Sequence, residues 1–203
     1  MKIATIVGAR PQFIKAAVVS REIAIRDDVD EILIHTGQHY DPNMSDVFFQ
    51  EMRIPKPAHH LGVSGGSHGQ MTGRQLEAIE RVLMNEQPDL VLVYGDTNST
   101  VAGALAAAKL HIPVAHVEAG LRSNNRRMPE EINRVVTDHA CDLLLAPTES
   151  AMSNLQLEGL QERSHIVGDV MADLLFNCRE DLKSEAIRRE LGLKGAYLVA
   201  TVH

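Results

Sequence analysis

Two acidic side chains follow apolar segments that have the length of β-strands, and a third opens a helical segment. Asp96 comes two residues after the segment 90–94, Glu118 closes the segment 114–117, and Glu130 opens a helical stretch further on. A carboxylate at the end of a buried strand must be paired or functional, because burying a lone charge is costly. A cluster of such groups can remove and return protons, so the pattern predicts acid–base chemistry.

Each of these carboxylates also has a structural explanation that the sequence leaves open. Asp96 or Thr97 could be the N-cap of the following helix. Arg122, four residues after Glu118, could form a buried salt bridge with it. The acidic pair that opens the next helix could simply interact with the helix dipole. Three carboxylates at one edge of a sheet, each near a cation or an amide, favour proton transfer on a phosphorylated sugar.

A basic loop follows the first apolar segment. It spans residues 8–12, contains Arg10 and Pro11, and is followed by Lys15 in the first helix. Proline is favoured in the first helical turn, and helix N-termini favour anions, so this loop could bind a phosphate or a carboxylate. A solvated surface Arg and Lys is the alternative. The loop is neither a Walker loop nor the G-x-G-x-x-G dinucleotide motif.

The histidines and cysteines do not form a metal-binding pattern. His59 and His60 are adjacent, there is no HExxH motif, and Cys141 and Cys178 are far apart without CxxC spacing. Ordinary hydrogen bonds are the expected role of the other histidines. We therefore expect no metal site and reduced thiols.

Composition excludes several classes of protein. The 203 residues are 44% hydrophobic and only 3% aromatic, with no Trp and a net charge of −7. Few aromatic residues and an acidic balance argue against nucleic-acid binding. The apolar segments are too short for a membrane span or for the core of a signal peptide. A cytoplasmic protein without a membrane partner is the expectation.

Strand-like and helix-like segments alternate along the chain. Continuous Val/Ile/Leu runs separated by helices predict a doubly wound, Rossmann-like parallel sheet, which is an α/β fold. In such sheets ligands bind at the carboxyl ends of the strands, where the charged side chains Arg10, Asp96 and Glu118 lie. The predicted strands are 3–7, 31–35, 90–94, 114–117, 143–146 and 165–167, and the predicted helices are 11–26, 70–86, 99–110 and 130–140.

A second unit is predicted to begin near residue 168. A long amphipathic helix over 171–191 precedes a buried-type strand over 197–202, and the sequence ends at His203. We therefore predict an N-terminal domain over 1–167. Residues 168–203 would be a linking helix and the first strand of a C-terminal domain.

Five motifs together resemble one known family. In order they are GARPQFIK, TGQHYD, YGDTNST, HVEAGLRS and MPEEINR, and they extend over most of the chain. As a set they are similar to the non-hydrolysing UDP-N-acetylglucosamine 2-epimerases, which have the two-domain glycosyltransferase-B fold. The resemblance implies that this chain is the N-terminal half, that the second domain holds most of the UDP, and that these 203 residues alone are inactive.

The resemblance also implies a reaction and a set of residues. The family eliminates UDP across C1 and C2 of the sugar and adds it back to the 2-acetamidoglucal, with the proton delivered to the opposite face. No metal, nicotinamide or flavin cofactor is implied, and a homodimer is. The implied catalytic residues are Asp96, Glu118, Glu130 and His203, and the implied substrate-binding residues are Arg10, Gln12, Lys15, Arg122 and Asn133.

The loop after the second strand departs from the family pattern. Gln38 and His39 match a regulatory loop that binds a second substrate molecule, but Asp41 stands where a second glutamine is common. This loop, MTGRQLE and residues 126–128 also resemble the subgroup that acts on UDP-2,3-diacetamido-glucuronate. A glycosyltransferase of the same fold and a non-catalytic binding module are the alternatives from other classes.

Overall fold

The computed structural model describes residues 1–39, 54–179 and 184–200. Within these residues seven strands form one sheet of order β3-β2-β1-β4-β5-β6-β7, and each adjacent pair is parallel. The strands are β1 (Lys2–Val7), β2 (Asp30–His35), β3 (His59–His60), β4 (Leu90–Tyr94), β5 (Val114–Val117), β6 (Leu143–Ala146) and β7 (Ser164–Ile166). The predicted parallel α/β fold is confirmed.

Helices connect most of the strands and begin and end within two residues of the predicted bounds in the first 140 residues. None in the described ranges has the length and apolar character needed to cross a membrane. The helices are α1 (Arg10–Ala24), α2 (His68–Glu86), α3 (Asn98–Lys109), α4 (Pro129–Ala140), α5 (Glu149–Leu157), α6 (Val170–Cys178) and α7 (Ser184–Glu190).

The sheet is buried on both faces. Along β4, Val91 and Val93 point into one apolar cluster, which includes residues of α2 and α3. Leu92 and Tyr94 point into a second cluster, which includes Phe13 of α1. Because neighbouring residues of a strand face opposite sides, a strand covered on both sides must be apolar throughout. The uninterrupted apolar segments of the sequence have this cause.

The strand order reverses direction between β1 and β4. From β1 the chain adds β2 and β3 on one side, and from β4 it adds β5, β6 and β7 on the other. The connections that leave the carboxyl ends of β1 and β4 therefore diverge and leave a crevice, where ligands bind in open α/β sheets. The loops that lead to Arg10, Asp96 and Glu118 border this crevice.

The predicted continuous helix over 171–191 is wrong. Helix α6 ends at Cys178, and a separate helix α7 begins at Ser184. The amide of Arg179 donates to the carbonyl of Phe176, a three-residue step that closes the last turn of α6. Asn177 and Cys178 have weak helix propensity and do little to extend it.

The predicted strand over 197–202 is also not confirmed. Residues 197–200 are not in a strand, and the rest of that segment, with His203, lies outside the described residues. A strand needs a partner for its N–H and C=O groups, and the sheet of the described residues ends at β7. Helix α6 packs against α1. The domain boundary at 167/168 stays a prediction.

Gly120 allows the turn after β5 to approach α5. Its φ is +82°, and a Cβ there would lie 2.4 Å from the carbonyl oxygen of Ala151 and 2.8 Å from Cγ of Leu155. We expect Gly120→Ala to lower the free energy of unfolding by about 3 kcal/mol, from backbone strain and overpacking. The measurement is urea unfolding followed by circular dichroism.

Gly73→Ala is the matched control for this prediction. Gly73 lies on the exposed side of α2, and a Cβ there would meet no atom within 4 Å. Since alanine favours a helix over glycine, this change should raise the free energy of unfolding by about 0.5–1 kcal/mol. Equal effects of the two substitutions would contradict the close approach at Gly120.

Candidate active site

Asp96 follows β4 and faces α4. The N-cap of α3 is Thr97, whose hydroxyl accepts from the amide of Thr100 at 3.3 Å, so Asp96 does not have the capping role. Its carboxylate instead forms an ion pair with Arg134, and its main-chain oxygen accepts from Nδ2 of Asn133 at 2.9 Å. The Asp96 side chain keeps 34% of its surface exposed. A ligand in the crevice can therefore reach it.

Glu118 is held in an unusual backbone conformation at the end of β5. Its φ is +71°, a region that costs a non-glycine residue about 1–3 kcal/mol and is common at functional sites. The carboxylate pairs with Lys15, which α1 brings from the loop after β1. The alternative explanation, a salt bridge between Glu118 and Arg122, is wrong, because the left-handed turn directs Glu118 towards α1.

Arg122 belongs to the scaffold below the crevice. Its guanidinium contacts Asp138 at 2.7 Å and Glu158 at 2.7 and 2.8 Å, and only 4% of the side chain is exposed. Burial alone would lower the pKa of Arg122, but the two carboxylates raise it above its ordinary value. A side chain with these contacts has little surface left for substrate, in contrast to the role that the resemblance implies.

Glu130 lies in the first turn of α4 and is exposed. Residues three and four positions apart share one face of a helix, which groups Glu130 with Asn133 and Arg134. Both of these side chains contact Asp96. Glu130 has no ion pair within the described ranges, so its carboxylate is available at the same edge of the sheet.

Glu131, which the sequence analysis did not select, is the buried member of the acidic pair. It is 3% exposed and accepts hydrogen bonds from the amide and hydroxyl of Ser123 and the amide of Asn124, each at 2.9 Å. Arg134 lies 2.7 Å away and so bridges Glu131 and Asp96. Burial alone would raise the pKa of Glu131, but these bonds lower it to about 2.

A helical pattern could have identified the buried acid. Glu131 and Asp138 lie seven residues apart, which places them on one face of α4, and both are buried. Arg134 is on the same side, three residues after Glu131. The spacing of these residues in the sequence therefore indicates that one face of α4 turns charged groups towards the sheet.

Gln12 is a structural residue of the loop after β1. It is 1% exposed, and its Oε1 accepts from the amides of Gly8 and Ala9 at 2.8 and 3.0 Å. Its Nε2 donates to the carbonyl of Tyr94 at 3.0 Å. With these bonds Gln12 ties the loop after β1 to the end of β4, and it presents no free polar atom to a ligand.

The loop after β2 reaches the same edge of the sheet. Oε1 of Gln38 accepts from the hydroxyl of Ser99 at 2.8 Å, and Nδ1 of His39 accepts from the amide of Arg10 at 3.2 Å. Burial, and then the charge of Arg10, lowers the pKa of His39. The side chain of Arg10 is exposed. A regulatory role of Gln38 and His39 stays a prediction, and Asp41 and His203 lie outside the described residues.

The structure thus brings the three predicted carboxylates, Lys15 and Arg10 to the carboxyl ends of β1, β4 and β5. A Cβ on Gly95, the residue before Asp96, would lie 3.2 Å from Oε2 of Glu118 and 3.3 Å from Nζ of Lys15. The described residues contain no group of three or more side chains that could hold a metal ion. The arrangement suits proton transfer by carboxylates next to a cationic group.

A comparison with protein families finds a match over most of the chain. The family model described as UDP-N-acetylglucosamine 2-epimerase matches residues 21–203. The chain belongs to this family. The matched region includes the loops after β4 and β5 and the helix α4, where Asp96, Glu118 and Glu130 lie.

Relatives within the family are similar over the whole chain. A UDP-N-acetylglucosamine 2-epimerase homolog of Methanococcus maripaludis is 57% identical over 206 residues, which cover 100% of this chain and 57% of that protein. The UDP-2,3-diacetamido-2,3-dideoxy-D-glucuronate 2-epimerase of Pseudomonas aeruginosa is 54% identical over 207 residues, with the same two coverages.

The fold matches a solved member of the family. The crystal structure of Methanocaldococcus jannaschii UDP-GlcNAc 2-epimerase in complex with UDP-GlcNAc and UDP has a TM-score of 0.90 and 47% identity, over 95% of this chain and 53% of that one. The fold of the described residues is therefore that of the N-terminal half of these glycosyltransferase-B-type enzymes. The chain spans a little more than half of the length of these relatives.

Loss of charge should destabilise the fold at Glu131 and have little effect at Glu130. We expect Glu131→Gln to lower the free energy of unfolding by about 2 kcal/mol at neutral pH, because a buried carboxylate loses its charged hydrogen bonds. Glu130→Gln, the adjacent exposed control, should change it by less than about 0.5 kcal/mol. Chemical denaturation of both variants measures the difference.

The effect of Glu131 should also depend on pH. Its pKa in the folded chain is about 2, below the ordinary value of 4.5, so its contribution to stability is complete above pH 4.5. That contribution should be lost as the pH falls from 4.5 towards 2, and the variant and the parent should converge. A stability difference that stays constant down to pH 2 would contradict the assignment.

Proposed function

We propose that this chain provides the acid–base groups of an enzyme that inverts C2 of a UDP-linked 2-acetamido sugar. The observation that carries the proposal is the placement of Asp96, Glu118 and Glu130 at one edge of the sheet, next to Lys15 and Arg10. Membership of the epimerase family supports the same class of reaction.

The first candidate substrate is UDP-N-acetylglucosamine, with UDP-N-acetylmannosamine as the product. A relative that is 47% identical to this chain was crystallised with UDP-GlcNAc and UDP. C2 of this sugar is not next to a carbonyl group, so direct deprotonation is unfavourable. We propose elimination of UDP and the C2 proton across C1 and C2 to give 2-acetamidoglucal. UDP then adds back at C1, and a proton is delivered to C2 from the face opposite to the one from which it was removed.

The carboxylates have complementary roles in this mechanism. One of Asp96, Glu118 and Glu130 removes the proton at C2, and another returns a proton from the opposite side. Groups on two different loops and one helix can approach a sugar from different directions. Arg10 is proposed to bind the diphosphate near the N-terminus of α1, where the helix dipole also favours an anion.

UDP-2,3-diacetamido-2,3-dideoxy-glucuronate is the second candidate substrate. A relative named for the 2-epimerisation of this sugar is 54% identical to the chain. This figure exceeds the 46% and 51% identity of two relatives named UDP-N-acetylglucosamine 2-epimerase. The acid–base chemistry at C2 would be the same, and the groups at C3 and C6 of the sugar would differ.

The deciding experiment is proton exchange in deuterium oxide. Incubation of the full-length protein with UDP-N-acetylglucosamine should give the manno epimer with deuterium at C2. Proton NMR measures the loss of the C2 proton signal and the appearance of the epimer. Exchange only with the diacetamido uronate would establish the second substrate. If neither sugar exchanges its C2 proton, the proposed function is wrong.

Loss of one carboxylate should slow turnover and leave the fold intact. In the full-length protein, Asp96→Asn, Glu118→Gln and Glu130→Gln should each lower kcat by about 10²–10⁴-fold, because each removes a proton-transfer group. Glu149→Gln is the matched control, since Glu149 is exposed in the first turn of α5 after β6. It should keep kcat within about twofold, and a similar kcat in all four variants would refute the assignment.

Assembly and location are further parts of the proposal. We propose a homodimer, which analytical ultracentrifugation of the full-length protein can test. A cytoplasmic location is consistent with the cysteines, because Cys141 and Cys178 are both free thiols.

A further inference from the structure

A buried cluster of charged side chains lies below the candidate active site. His116 on β5 and Asp138 on α4 are both completely buried, and their Nδ1 and Oδ1 atoms are 2.7 Å apart. Nε2 of His116 lies 2.7 Å from the carbonyl oxygen of Gly95. The imidazole ring therefore connects α4 to the residue that precedes Asp96.

Both contacts of the ring require an N–H group on His116. The carbonyl oxygen of Gly95 can only accept a hydrogen bond. Asp138 also acts as an acceptor, since its Oδ2 takes hydrogen bonds from the amide of Gly120 at 3.1 Å and from Arg122 at 2.7 Å. A neutral imidazole has one N–H group, whereas an imidazolium has two. The hydrogen bonds thus match a doubly protonated His116.

The charges in the cluster balance when His116 is an imidazolium. Its neighbours are Asp138 and Arg122, and Arg122 also pairs with Glu158. Two cations then face two carboxylates. At the outer end, His139 contacts Glu158 at 3.1 Å and is 48% exposed. A buried charge is tolerated only with such partners, so the buried members His116, Asp138 and Arg122 depend on one another.

Charged and titratable groups in the cluster support the same arrangement. Burial alone would raise the pKa of Asp138, but His116 and Arg122 lower it below its ordinary value. Hydrogen bonds from Arg122 lower the pKa of Glu158 despite the effect of burial. The buried thiol of Cys141 lies near Asp138, and burial raises its pKa, so it stays neutral.

This cluster holds the two turns that carry the candidate catalytic carboxylates. His116 binds the carbonyl of Gly95, whose φ is +61° and which is followed by Asp96. Asp138 binds the amide of Gly120, two residues after Glu118. The His116–Asp138 pair, which has no contact with solvent, thus links the two turns.

We propose that His116 is a positioning residue: an imidazolium that fixes the Gly95–Asp96 peptide relative to Glu118. This proposal rests on the proposed function for its kinetic consequence. The protonation state of His116 does not depend on that function, so the two can fail separately.

The first test measures the ring nitrogens directly. In the 203-residue chain labelled with ¹⁵N, a long-range proton–nitrogen spectrum at neutral pH should show both ring nitrogens of His116 protonated. A His116 ring with one unprotonated nitrogen would overturn the proposal whether or not the enzyme is active.

The second test measures the positioning role in the full-length protein. His116→Gln can keep one of the two hydrogen bonds of the ring but not both. It should lower kcat on the order of 10²-fold, as expected for a displaced catalytic group, and change KM by less than about threefold. His139→Gln, at the exposed end of the same cluster, is the matched control and should keep kcat. Thermal unfolding of both variants checks that they fold.

Either kinetic result decides the positioning role. A selective loss of kcat in folded His116→Gln supports it, and kcat within twofold of the parent refutes it. If the parent protein has no epimerase activity, the proposed function fails, and the nitrogen spectrum alone still decides whether His116 is the charged residue proposed here.

Discussion

Carboxylates at the edge of a buried sheet lose hydration, and an unpaired charge in such a place costs several kcal/mol. The described part of the structure meets this constraint by giving its buried and partly buried acids specific cations. Arg134 pairs with Asp96 and Glu131, and Lys15 pairs with Glu118. Since the Lys15–Glu118 and Arg134–Asp96 pairs each join two different elements of the fold, the pairing that makes burial tolerable also fixes the positions of these acids.

The strand order determines which cations are available. Because β1 lies beside β4 and β4 beside β5, α1 can bring Lys15 across the end of β4 to Glu118, although 103 residues separate them. Helix α4 follows β5 and can return Arg134 to Asp96 at the end of β4. The acid–base groups are therefore held by contacts between successive units of the sheet. Changes in sheet packing far from the crevice should affect the site through these contacts.

Much of this architecture could be predicted from the sequence, and the failures have physical causes. Continuous apolar segments identify strands buried on both faces, and the motifs identified the loops with Asp96 and Glu118. The partner of Glu118 could not be found in the same way. Arg122 is only four residues away, but the φ of +71° at Glu118 turns its carboxylate towards Lys15. Backbone handedness at one residue is not visible in a hydrophobic pattern.

The helix dipole cannot separate Glu130 from Glu131, because both lie in the first turn of α4, where it favours either acid. The helical spacing of Glu131 and Asp138 does separate them, since it places both on the buried face of α4 and leaves Glu130 exposed. The end of α6 at Cys178, in contrast, depends on local bonds that weak helix propensities permit but do not specify.

The ion pairs also distinguish the cations that stabilise the site from the cation that is available to bind a substrate. Lys15, Arg122 and Arg134 each contact at least one carboxylate, which neutralises much of their charge. Arg10 is exposed at the N-terminus of α1 and has no carboxylate partner in the described ranges. A diphosphate that enters the crevice would therefore meet Arg10 without breaking an internal ion pair. The carboxylates that are paired with Lys15 and Arg134 would then keep their positions.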